Sequence, residues 1–175
     1  RDVQWTEAGV EGASRFQQRV WRLVAETTDI VKQSSLIVRE NDDSEGLALR
    51  KIIHRAVHNV ASDIEGLRFN RAVAQIYELT NALVRSACIC AAAPAGRLAA
   101  LELGVSHLIQ LIAPMMPHLA ETCWAELGKT GLVADALWPE VDPALLVDDE
   151  VTLPVQVNGK RRAEITVGKG TPADE

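Results

Sequence analysis

Five stretches of the chain repeat apolar residues at alternating steps of three and four, the spacing of one face of an α-helix. The most apolar is Leu98 to Gly128. Its first half sets Leu98, Leu101, Val105, Leu108 and Ile112 on one stripe, which needs other helices to cover it. Ala113-Pro114 should stop that helix, because proline has no N–H and crowds the preceding turn. A second helix should begin at Pro117, where the missing N–H costs nothing, run through Ala120, Trp124 and Leu127, and end on Gly128 as a left-handed cap. This proline-cornered pair is expected to organise the fold.

Three more helices precede it. The first spans about Val10 to Val31, with Ala13, Phe16, Val20, Leu23 and Thr27 facing inward. After the polar break Arg39 to Glu45, the second runs from Ser44 to Gly66 on the stripe Leu49, Ile53, Ala56, Val60, Ile64 and Leu67. A break at Gly66 to Phe69 leads to the third, Asn70 to Ala92, with Asn70 as N-cap and Ala72, Ile76, Leu79, Leu83 and Ala87 as its stripe. Ala93-Pro94-Ala95-Gly96 is the turn into the organising pair. The fold class is therefore mainly α, an antiparallel helical bundle over residues 1–133, with residues 134–175 as linker and β-hairpin.

In that tail, Val151, Leu153, Val155 and Val157 alternate with Thr152, Pro154 and Gln156. Asn158-Gly159 follows, and Ala163, Ile165 and Val167 alternate again, the pattern of a hairpin. Pro154 marks its strand as an edge. A two-residue loop would set Val155 against Arg162. A three-residue loop with a bulge at Gly159 pairs Leu153 with Ala163 and Val151 with Ile165, and that register is expected because it keeps one apolar face.

Composition adds little to the fold and more to the function. Of 175 residues 47% are hydrophobic but only 4% aromatic, so the core is aliphatic. No apolar run approaches the roughly 18 residues of a membrane span. The start, Arg1-Asp2-Val3-Gln4-Trp5, has no signal-peptide pattern and reads as a cut inside a longer protein. Cys88, Cys90 and Cys123 are an odd set. They suit reduced thiols in the cytoplasm, with Cys88 and Cys90 as small buried residues.

A net charge of −6 argues against a nucleic-acid partner until it is divided along the chain. Residues 1–60 are balanced, 61–133 carry −1 and 134–175 carry −5. The early helices can therefore still present a basic face. Arg15, Arg19 and Arg22 recur at four and three; Lys51 and Arg55 lie one turn apart; Arg71 opens the third helix. Such rows are either ordinary solvated helix surface or a ridge of guanidinium groups spanning adjacent phosphates. Lys160, Arg161 and Arg162 add a basic cluster at the hairpin tip.

No chemistry emerges elsewhere. His54 and His58 have the spacing of a zinc-protease helix, but Arg55 stands where the general base would be, and no third ligand is evident. Ser106 beside His107 is sequence adjacency, not triad geometry. There is no glycine-rich phosphate loop, so no catalytic, metal or cofactor residue is assigned.

Four stretches carry a family resemblance: TEAGVEGASRFQQRVWRLV near the start, IIHRAVHNVASDIEGLRFNRAVAQIYELTNAL in the middle, LIAPMMPHLAETCWAELG at the corner and VQVNGKRRAEITV at the end. Together they resemble the C-terminal part of a bacterial-type leucyl-tRNA synthetase over essentially the whole chain. Tyr77 stands where that family commonly has Met, and Arg162-Ala163 where it often has Arg-Gly. The resemblance implies a helical anticodon-binding domain that orients tRNA(Leu) for ATP-dependent leucylation. It places the HIGH and KMSKS motifs, with ATP and magnesium, in a catalytic domain upstream of Arg1. The implied partners are tRNA(Leu) and that catalytic domain, with no membrane and a monomeric chain. The RNA-facing candidates are Arg15, Arg19, Arg22, Lys51, Arg55, Arg71, Lys160, Arg161 and Arg162. Without the resemblance, a helical protein-interaction scaffold would be preferred. The equivalent domain of a valine or isoleucine enzyme is disfavoured by the hairpin motif.

Overall fold

The computed structural model describes residues 6–34, 44–89, 95–147, 150–157 and 160–168; for 31–34, 89, 95 and the two strands it describes the backbone alone. Its first unit is mainly helical: α1 (Glu7–Ser34), α2 (Ser44–Glu65), α3 (Phe69–Ile89), α4 (Ala95–Ile112) and α5 (Pro117–Glu126). Residues 39–43 of the expected polar break and Ala93-Pro94 of the expected turn lie outside the described residues, as does Cys90; Ala95 and Gly96, expected in that turn, instead open α4.

α4 touches all four other helices. Leu101, Val105, Leu108, Ile109, Leu111 and Ile112 are completely shielded along it. Burying so much aliphatic surface at roughly 25 cal/mol per Å² makes this helix the centre of the core. Gly104 is what lets α2 and α3 approach it closely. A Cβ there would stand 2.5 Å from Leu83 Cδ2 and 2.8 Å from Ile53 Cδ1.

The corner forms as the prolines dictate. α4 stops at Ile112, whose carbonyl accepts from the N–H groups of both Met115 (3.0 Å) and Met116 (2.8 Å). Pro117 opens α5 in the first turn. At the other end Gly128 takes φ +73°. Its N–H donates to Ala125 (2.9 Å) and that of Lys129 to Trp124 (3.2 Å), the double bond pattern of a Schellman cap.

The same cap ends α2, with a difference. Leu67 N–H donates to Ile64 (2.9 Å) and Arg68 N–H to Asp63 (2.7 Å), but the left-handed residue is Leu67 at φ +55°, not a glycine. Leu67 was expected to extend the buried stripe of α2; it is instead 77% exposed. The left-handed turn swings it off the helix face. α3 then begins at Phe69, with the Arg68 carbonyl accepting from Arg71 and Ala72. Asn70 lies inside the first turn and is not the expected N-cap. An L-residue in this conformation is strained by about 1–2 kcal/mol, and little side-chain burial offsets it here. Leu67→Gly is expected to raise stability by about 0.5–1 kcal/mol, after allowing for the greater unfolded-state entropy of glycine. Thermal melts of the two proteins test this, and a lowered midpoint would show that Leu67 packs.

Two other sequence expectations are corrected. Ala13 is exposed, while Phe16, Val20, Leu23 and Thr27 are buried as their spacing requires. Cys88 is exposed and not buried. The helical unit also runs past 133 to Val141. The Glu121 carboxylate accepts from the N–H groups of Val133 (2.9 Å) and Ala134 (3.2 Å), and Gln110 Nε2 donates to the Leu137 carbonyl (2.8 Å). Those bonds tie the segment after α5 to the corner.

The second unit, residues 142–175, contains a short turn at Pro143–Leu146 and the strands β1 (Glu150–Val157) and β2 (Lys160–Gly168), paired antiparallel. Val157 pairs with Lys160 and Gln156 with Arg161; the ladder then skips Arg162. Val155 therefore stands across from Ala163, Leu153 from Ile165 and Val151 from Val167. The expected pairs, Leu153 with Ala163 and Val151 with Ile165, do not form. One extra residue on β2 sets apolar positions against apolar ones, the outcome for which a bulge at Gly159 was expected. The Asn158-Gly159 loop lies outside the described residues.

Candidate nucleic-acid interface

The arginine row of α1 is exposed because Phe16, Val20 and Leu23 turn the opposite side of the helix into the core. At 1.5 Å rise per residue, Arg15, Arg19 and Arg22 follow one another at about 6 and 4.5 Å along the axis. Arg15 lies 3.5 Å from Glu11, one turn earlier, with both side chains about 70% exposed. Such a surface pair is weak and exchanges readily for another anion. Arg19 and Arg22 make no ion pair among the described residues.

The other cations do not join this row. α1 packs on α3, α4 and α5, and α2 packs on α3 and α4. α3 and α4 therefore separate α1 from α2, and Lys51 and Arg55 stand on another side of the bundle. Both are half-buried. Arg71 is drawn to the α2–α3 corner. Its Nε is 3.6 Å from Oδ1 of Asp63, which also accepts from Arg68 Nε at 2.8 Å. The Asp63 side chain is only 3% exposed, so these guanidinium groups compensate a buried carboxylate. Arg71 thus has a structural partner that its position in the sequence did not reveal. Lys160, Arg161 and Arg162 lie on β2, where the structure describes the backbone only.

Sequence reasoning passed over Arg85. It is exposed on α3 and lines a cleft with Arg55 of α2. It stands three residues after buried Ala82, at the rim of the α3 stripe, a spacing that by itself does not set it apart from other rim residues. Three aromatic residues are also partly exposed on the helical unit. Trp21 is 41%, Phe69 49% and Tyr77 37% exposed. Tyr77 stacks on Phe16, with ring centroids 4.3 Å apart and planes at 29°. Trp124 is buried.

His54 meets His107 of α4 edge-on, with ring centroids 6.4 Å apart, while His58 is exposed one turn away. Burial pushes the His107 pKa below the ordinary histidine value, against the raising effect of its hydrogen bond with Gln110. Nδ1 of His107 has no hydrogen-bond partner among the described residues. Cys123 is pushed up to about 11 by burial and is an unreactive thiol. Among the described residues no three His, Cys, Asp or Glu side chains converge as metal donors, and no helix is long and apolar enough to cross a membrane.

Residues 47–175 match the family model of the anticodon-binding domain of tRNA ligase. The chain is 50% identical over 171 residues to a leucine–tRNA ligase of Sinorhizobium fredii strain NGR234, covering 97% of the chain and 19% of that protein. It is 48% identical over 176 residues to a leucine–tRNA ligase of Rhodopseudomonas palustris strain TIE-1, covering 100% of the chain and 20% of that protein. It therefore spans about a fifth of the length of these relatives. Among solved structures it resembles the agnB2 LeuRS–tRNA–LeuAMS ternary complex of Agrobacterium radiobacter K84, with a TM-score of 0.78 and 28% identity. That likeness covers 98% of the chain and 21% of the neighbour.

Proposed function

The chain belongs to the anticodon-binding domain family of tRNA ligases, in the form found in leucine–tRNA ligases, and from this we propose that it docks tRNA(Leu) and orients it for leucylation by a catalytic domain elsewhere in its parent enzyme. The carrying observation is the exposed row on α1, in which Arg19 and Arg22 have no acidic partner among the described residues. Guanidinium groups in such a row neutralise phosphates and fix the register of an RNA without reading its bases. Arg15 joins them by exchanging Glu11 for phosphate. Lys51 and Arg55 form a second, separate contact, and Arg71 contributes less because it faces Asp63. Lys160, Arg161 and Arg162 on the strand pair make further phosphate contacts in the same role, as the opening of a further C-terminal domain. On this reading the chain works as a monomer in the cytoplasm, with tRNA(Leu) and the rest of the parent enzyme as partners.

The purified chain is expected to bind tRNA(Leu) with strong salt dependence and to show no leucine-dependent ATP–pyrophosphate exchange. ATP and magnesium chemistry belongs to the parent's catalytic domain. Exchange above that of a heat-killed control would mean that the active site has been misplaced. Binding that is indifferent to salt would favour a protein-interaction scaffold, whose apolar contacts salt does not weaken.

A further inference from the structure

A cleft of about 350 Å³ runs between α2 and α3. Its walls carry Arg55 from α2 and Gln75, Glu78, Asn81 and Arg85 from α3, over a floor that includes Ile52. Ile52 is 41% exposed and so offers apolar surface to the cleft. Asn59 Nδ2 donates to Gln75 Oε1 at 3.2 Å, which leaves the Gln75 amide hydrogens as donors. Glu78 and Arg85 make no ion pair among the described residues.

This is a poor site for phosphate alone, because the Glu78 carboxylate repels an anion and the apolar floor would go unused. It suits a group that is flat and apolar on its faces, bears donors and acceptors at its edge, and has an anion attached. The volume is at the small end of ligand pockets. We propose that the α2–α3 cleft seats a single unpaired nucleotide of the RNA, with its base over Ile52, its edge against Glu78 and Asn81, and its phosphate on Arg85. Glu78 accepts from an exocyclic amino group, as carboxylates do with cytosine N4. A base-paired nucleotide cannot enter, since both faces and its edge are occupied in the helix. This assignment rests on the RNA-docking reading and adds to it a contact that depends on strandedness, which the α1 row does not supply. A nucleotide from a loop common to leucine acceptors would be held without making binding sensitive to the anticodon.

The test compares two RNAs by filter binding to the 175-residue chain: tRNA(Leu), which has unpaired loops, and a fully paired duplex of equal length. Arg85→Glu removes the phosphate partner, and Ile52→Trp fills the floor without adding charge. Both positions are at the surface, and thermal melts verify that each variant folds. Each should weaken tRNA(Leu) about tenfold, the scale of a lost base contact, and leave the duplex within about twofold. Arg85→Lys should recover part of the loss. Equal weakening of both RNAs, or none, would overturn the cleft assignment. The Arg19→Ala and Arg22→Ala variants, run alongside, distinguish the two readings. If they weaken both RNAs while the cleft variants do nothing, docking stands and the cleft falls. If they too are silent, the docking reading fails with it.

Discussion

Replacing Trp124 with alanine is expected to cost about 3 kcal/mol, the low end of the usual loss for a large buried aromatic. α5 sends Ala120, Cys123 and Trp124 into the bundle from one face, and the helix packs on α1 and α4. Trp124 is the largest of the three and is 9% exposed. The alanine leaves a void at the junction of three helices, where neighbouring side chains cannot collapse without moving the corner. It also removes the Lys129 ammonium's seat 6.0 Å from the ring centroid, a minor loss at an exposed site. One effect runs the other way. Nε1 of Trp124 is buried with no hydrogen-bond partner among the described residues, so removing it relieves an unsatisfied donor. Trp124→Phe isolates that term and should lie within about 1 kcal/mol of the parent. By the size scaling of unfolding entropy, the alanine variant should melt about 6–12 °C lower. A fall of less than about 2 °C would mean that α5 is held by the prolines and the Schellman cap alone.

The helices were legible because each depends on its own residues. The stripes of α2, α3 and α4, the stop at Ala113-Pro114 and the left-handed Gly128 follow from periodicity and local sterics. What was not legible depends on partners distant in sequence. Leu67 continues the α2 stripe perfectly, yet the chain turns left-handed there so that Arg68 can reach Asp63. Nothing in the local pattern marks a buried carboxylate five residues earlier as the anchor. Arg71 looked like an RNA ligand for the same reason. The strand register was argued from the right constraint, apolar against apolar, but that constraint admits more than one place for the extra residue. Arg162 on β2 meets it as well as Gly159 does. Of the candidate interface, the α1 row could be read from spacing alone. Arg85 could not be singled out, because its role as a cleft wall requires knowing which helix lies beside α3.

The docking account is tested most directly by a salt titration of tRNA binding with Arg19→Ala, Arg22→Ala and the double variant. Each phosphate neutralised releases condensed counterions, so the logarithm of the affinity falls with the logarithm of salt by roughly 0.7–0.9 per contact. Each single variant should flatten that slope by about one unit, and the double variant by about two. At about 0.1 M salt each should also weaken binding several-fold, and the double variant roughly fiftyfold. Both arginines are exposed and without ion-pair partners among the described residues, so the fold should be unaffected. Because the row contacts phosphates, the losses should be the same for two leucine tRNAs that differ only in the anticodon. A slope unchanged in the double variant, or a tenfold preference between those two RNAs carried by these arginines, would contradict the account.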